Sequence, residues 1–197
     1  MNKNSHIDIM LDKFKNNKNL RYFFLYTVTF MIYALLIAAL GPFIPYLAAE
    51  THTAETQYSF LFSCRSFGMV AGCFLIKYLQ KQAITNHNII LLGCTFICIF
   101  SFLFSQTRVT LWLGVWMFIG AVSYSFLEVM INVCIYLTHK ASEMSFWMQL
   151  INSLFGIGGL LGPYLVYVFE GSSYISFGVF IALLIPFYYS LQSPEHL

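Results

Sequence analysis

The chain has 197 residues, of which 59% are hydrophobic, 19% aromatic and only 9% charged. A water-facing domain of this length carries about 25% charged residues, so the composition excludes a soluble fold and points to an integral membrane protein. The net charge of +2 comes from basic residues scattered along the chain, which gives no patch for nucleic acid.

Residues 82–107 and 144–169 each run 26 positions without Asp, Glu, Lys or Arg. A bilayer core of ~30 Å needs about 20 apolar residues in a helix, and similar runs recur along the chain. The pattern predicts an all-α polytopic bundle of six transmembrane helices over residues 21–192. A tail (1–20) precedes it and a short end (193–197) follows. A β-barrel is excluded, because its strands would alternate apolar and polar over about 10 residues.

The first span is expected from Tyr22 to Leu47. It is too long for the core of a signal peptide and so is expected to be retained. Tyr26, Thr29 and Tyr33 form a polar stripe on it, and Gly41-Pro42 reads as a local break. The second span, Gln57 to Leu79, contains Arg65 and Gly68-x-x-x-Gly72. The third runs from Asn88 to Ser105 and the fourth from Thr110 to Thr138. The fifth, Ser145 to Phe169, has Gln149, Asn152, Ser153 and Gly156 on one face, then Gly158, Gly159, Gly162 and Pro163. The sixth covers Ser173 to Leu191.

Lys and Arg collect on the cytoplasmic side of membrane proteins. With the N-terminus inside, Lys3, Lys13, Lys15, Lys18, Arg21, Lys77, Lys81 and Lys140 are cytosolic, and only Arg108 falls in an outer loop. The expected topology is therefore N-in, C-in, with the plasma membrane favoured over an internal one. The second and fifth spans also share a local pattern. Ser66-Phe67-Gly68-Met69 is followed by Gly72, and Ser153-Leu154-Phe155-Gly156-Ile157 by Gly159. Two matching Gly-rich helices suit a 3+3 inverted repeat, and their small residues permit close helix contact.

Two charges lie inside spans. A charge at mid-membrane costs at least ~2.5–3.5 kcal/mol, so Arg65 and Glu128 are expected to face protein or a watery cavity. Tyr124, Glu128, Asn132 and Tyr136 recur every four residues and form one polar stripe, with Ser125 beside it. Such a face offers carboxylate and amide acceptors plus aromatic surfaces to a hydroxyl-rich solute or a cation. The alternative is a structural pair of Glu128 with Arg65, which centring the two spans offsets by roughly 10 Å along the axis. Gln149 and Asn152 complete the candidate solute-binding set of Tyr124, Glu128, Asn132 and Arg65. Cys64, Cys73, Cys94, Cys98 and Cys134 sit in apolar runs without a C-x-x-C pair, as small apolar side chains. His6, His52, His87, His139 and His196 have no metal-ligand spacing. No nucleophile elbow or phosphate-binding loop is present, so no enzyme, metal or bound cofactor is expected.

These segments resemble the N-terminal six-helix half of a major facilitator superfamily transporter, over essentially the whole chain after Arg21. Three stretches are similar to the branch of sodium-dependent glucose transporters and, more distantly, of fucose:proton symporters. They are Leu40-Gly41-Pro42-Phe43; Arg65-Ser66-Phe67-Gly68-Met69-Val70-Ala71-Gly72; and Leu127-Glu128 with Asn132, continued by Gln149 through Gly162-Pro163. The resemblance implies a sugar and cation site at Glu128 and Asn132, coupling to sodium or protons, and alternating access. The chain departs from the superfamily pattern after helix two, where Gly72 is followed by Ile76 and Lys77 with no Asp between. It also has no acidic residue on helix one. The resulting expectation is a half-length transporter for a small polar solute, a monosaccharide, that pairs with a second six-helix half or a further copy. The rival expectation is a non-transporting membrane subunit or truncated product that uses the bundle for assembly or regulation.

Overall fold

The computed structural model describes residues 18–169 and 173–190. The expected N-terminal tail up to residue 17 and everything after residue 190 lie outside the described residues. Six helices follow one another: α1 (Lys18–Thr51), α2 (Phe60–Lys81), α3 (Asn86–Gln106), α4 (Thr110–Thr138), α5 (Met144–Phe169) and α6 (Ser173–Ser190), with a 3-10 turn at Glu55–Tyr58 before α2. Among the described residues there is no strand. Five segments, from α1 through α5, are long and apolar enough to cross a membrane, while the apolar part of α6, Tyr174–Tyr189, is shorter.

The expected break at Gly41-Pro42 does not occur. α1 continues through Pro42 and Pro45 to Thr51. Each proline removes one N–H donor, and spanning helices tolerate that loss where neighbouring helices support the segment. Here Phe43, Ile44 and Leu47 are buried, and the Phe43 ring lies 4.9 Å from that of Tyr174 on α6. α3 starts two residues earlier than expected because Thr85 caps it, its hydroxyl accepting from the Asn88 amide at 3.3 Å. The link between α2 and α3 turns through Ala83 in the left-handed region, φ 57°.

α1 and α4 form the buried middle of the bundle. α2 packs chiefly on α4 and α5 chiefly on α1, while α3 and α6 pack on each other and on that central pair. Glycines set the two flanking contacts. A Cβ on Gly68 would collide with Phe118 O and lie 2.7 Å from Ala121 Cβ, and one on Gly72 would lie 2.8 Å from Val122 O and 2.7 Å from Ser125 Cβ. On the other side, a Cβ on Gly158 would collide with Met31 O and lie 3.0 Å from Ala34 Cβ. One on Gly162 would lie 2.9 Å from both Leu35 O and Ala38 Cβ.

The two contacts are equivalent in register. An offset of 87 residues takes Met31, Ala34, Leu35 and Ala38 to Phe118, Ala121, Val122 and Ser125; an offset of 90 takes Gly68 and Gly72 to Gly158 and Gly162. The repeat suspected in the sequence is thus expressed as geometry, but with Gly158 and Gly162 as the counterparts rather than Gly156 and Gly159. The latter two meet nothing within 4 Å of an added Cβ. Gly68 and Gly72 are consumed inside the bundle and are not available to a partner.

Side-chain hydrogen bonds tie the ends. At the end shared by the start of α1 and the close of α6, His87 is buried. Its Nε2 lies 2.9 Å from the Tyr188 carbonyl, which only accepts, so Nε2 carries the proton. In the neutral ring Nδ1 then accepts from the Tyr26 hydroxyl at 3.0 Å. Thr29 donates to Leu25 O at 2.9 Å, so the Tyr188 hydroxyl donates to Thr29 Oγ1 at 2.8 Å. This knot joins α1, α3 and α6. At the opposite end Arg108 Nη2 and Glu50 Oε1 form an ion pair at 2.8 Å.

Candidate functional site

Glu128 lies ten residues before the end of α4, on the face turned toward α1, and is half-buried. The Tyr33 hydroxyl on α1 donates to its Oε2 at 2.8 Å. Its other oxygen takes no protein hydrogen bond among the described residues. Tyr33 itself is 1% exposed. Its ring is walled by Phe30 at 5.6 Å, Tyr124 at 5.4 Å and Phe155 at 5.6 Å between centroids. The site is therefore a carboxylate at the edge of an aromatic cluster drawn from α1, α4 and α5.

The stripe on α4 divides into members with different surroundings. Tyr124, one turn before Glu128, is fully buried, and its hydroxyl has no hydrogen-bond partner among the described residues. Asn132, one turn after, donates from Nδ2 to the Glu128 main-chain carbonyl at 2.6 Å, while its buried Oδ1 has no partner. These are two orphaned buried polar atoms on the turns flanking Glu128, and leaving a buried donor or acceptor unmade costs about 1–3 kcal/mol. Tyr136 is exposed and outside the cluster.

Arg65 is not brought to Glu128. α2 and α4 run parallel, with Gly68 facing Phe118 and Ala121. That register sets Arg65 near the level of Trp116, roughly 17 Å along the axis from Glu128. Centring the two spans gives a smaller offset because it overlooks how far α4 extends beyond the end of α2. Arg65 is half-buried and has no hydrogen bond or ion pair among the described residues. Its charge still lies within electrostatic reach of the phenols of Tyr33, Tyr124 and Tyr174. Gln149 and Asn152 are exposed on α5, one to two turns before Phe155.

Sequence reasoning placed Tyr33 on a polar stripe without assigning it to Glu128, and it treated His87 as a span-end residue. A signal for Tyr33 did exist: it shares a stripe with Tyr26 and Thr29, yet those two turn to His87 and Tyr188 instead. Among the described residues no three His, Cys, Asp or Glu side chains gather as a metal site. A groove of about 340 Å³ between α2 and α4, lined by Phe60, Cys64, Leu111, Gly114, Val115 and Phe118, is apolar and contains none of the site residues.

The sequence model of the Major Facilitator Superfamily matches residues 23–196, a stretch that takes in α2 to α6 and all of α1 but its first turn. No curated protein and no solved structure gives a significant match. Members of that superfamily are transporters rather than enzymes. Its all-helical membrane architecture is the one described above, with two three-helix units in equivalent register. The chain belongs to the major facilitator superfamily.

Proposed function

We propose that this bundle is one half of a secondary transporter that moves a small polar solute, a monosaccharide, coupled to sodium or protons. It supplies one wall of a central cavity, and a second six-helix half or another copy of the chain supplies the other. Both termini are cytosolic, in the plasma membrane, and the cavity opens to either side in turn. The observation that supports this reading is Glu128: a carboxylate inside a span, half-buried, with one oxygen held by Tyr33 and the other free. A bilayer-embedded carboxylate is costly, and a helix kept only for packing gains nothing from one. A carboxylate oxygen beside an aromatic face suits a hydroxyl-rich ring: Oε1 accepts, and the partly exposed Phe155 offers a stacking surface.

The test is uptake of labelled glucose by proteoliposomes with and without a sodium or proton gradient. Gradient-driven accumulation is expected in the native chain. Glu128→Gln keeps the side-chain shape and loses the charge, so accumulation should fall at least about tenfold, the cost of one charge-assisted contact, while exchange of bound sugar partly survives. Accumulation undiminished in Glu128→Gln would remove the carboxylate from the mechanism. No uptake by the native chain, alone or paired with a second half, would leave an assembly role in its place.

A further inference from the structure

Glu128 sits half-buried in the bundle with no ion-pair partner among the described residues. Arg65, the other charge within the spans, is about 17 Å away along the helix axis, and the Asn132 amide group is committed to a main-chain carbonyl. The one hydrogen bond that reaches the carboxylate among the described residues comes from Tyr33. We propose that Tyr33 is a positioning residue for Glu128: its hydroxyl fixes the carboxylate in one orientation and turns Oε1 toward the cavity. The assignment of Oε1 to a solute rests on the functional reading above; the control of the carboxylate does not.

The geometry is suited to the task. Tyr33 is held by Phe30, Tyr124 and Phe155, so its hydroxyl has little freedom to leave. Other ionisable groups are few on every packed element. α1 brings Tyr33 alone to the carboxylate, and α4 adds Tyr124 one turn away. α2 contributes Arg65 at long range, α5 presents Phe155, and α6 offers Tyr174, whose hydroxyl donates to Leu36 O at 3.4 Å. Because Tyr33 is on α1 and Glu128 on α4, the bond also spans the two central helices. Any movement of α1 against α4 therefore loosens Tyr33 from Glu128 and frees the carboxylate to turn.

A hydrophobic carbodiimide, dicyclohexylcarbodiimide, tests this without any transport assay, because it modifies carboxyls that lie within the membrane and are free to react. Labelling of the Glu128 peptide would be followed by mass spectrometry in the full chain in proteoliposomes at neutral pH. Tyr33→Phe keeps the ring packing and removes the donor, so Glu128 should label about tenfold faster than in the native chain, the effect of one hydrogen bond to a charged group. Tyr174→Phe, which removes a buried hydroxyl elsewhere, should leave the rate unchanged, and Glu128→Gln should abolish that label. Equal rates in the native chain and Tyr33→Phe would overturn the assignment, as would the same acceleration in both Tyr variants, which marks general loosening. Melting temperatures of the variants separate misfolding from either result. A changed labelling rate together with full transport by Glu128→Gln would instead sink the transport reading and leave the Tyr33 assignment standing.

Discussion

Single residues carry the informative departures in this molecule. Ala83 adopts φ 57°, a left-handed conformation that costs an L-residue roughly 1–2 kcal/mol. Ala83→Gly removes that strain but adds freedom to the unfolded chain. The net expectation is stabilisation of up to about 1 kcal/mol, read as a higher melting temperature in detergent; a lower one would show that the Cβ is packed to advantage. At the site, the four-residue spacing in the sequence correctly grouped Tyr124, Glu128 and Asn132 on one face of α4. The stripe of Tyr26, Thr29 and Tyr33 suggested a face toward the same cavity, but it could not say that Tyr33 alone reaches Glu128 while the other two turn to His87 and Tyr188. Arg65 and Gln149 show the converse limit. Their polarity inside spans was visible, but the lateral register of α2 and the rotation of α5 are set by packing of Gly68 and Gly158, not by the polar residues themselves.

At the scale of helices, small residues decide which surfaces meet. The span boundaries were readable to within a few residues, since apolar runs end where charges begin; α4 begins and ends at Thr110 and Thr138 as expected. The exception at Pro42 arose because proline's local cost was weighed without the tertiary support of Phe43 and Tyr174. The glycines were read as pliable or sticky, and only the packed helices separate the two kinds. Gly68→Ala and Gly158→Ala each force a Cβ into a facing main-chain oxygen, so each is expected to destabilise the bundle by about 1–3 kcal/mol. Gly156→Ala meets open space and exchanges a poor helix former for a good one, a gain of roughly 0.5–1 kcal/mol. Chemical or thermal unfolding in detergent compares the three directly. Equal losses at all three positions would mean that the α2–α4 and α1–α5 contacts are not the close ones.

On the whole molecule, the outward faces of α2 and α5 follow the same 90-residue correspondence as their buried faces. Phe67, Val70 and Phe74 match Ile157, Leu160 and Tyr164, and all six are exposed. Around Gly156 and Gly159 this surface has room for a neighbouring helix. Gly156→Ile with Gly159→Ile should therefore leave the fold intact but weaken pairing with a second half, a shift toward monomers measurable by single-molecule photobleaching in bilayers. A native chain that is monomeric at every protein-to-lipid ratio, with no second half recruited, would count against pairing here. One further consequence belongs to the knot at His87 and the Glu50–Arg108 pair, which fasten opposite ends of the same helix. α1 has 34 residues, and at 1.5 Å per residue it is a beam of about 50 Å. Anchored to α3 and α6 below and to the start of α4 above, such a beam cannot hinge in the middle without breaking one of its fastenings. Any tilt of such a beam must therefore carry α3, α6 and the link between α3 and α4 along with it, because a displacement of a tip by a few ångströms would break the contacts that hold it.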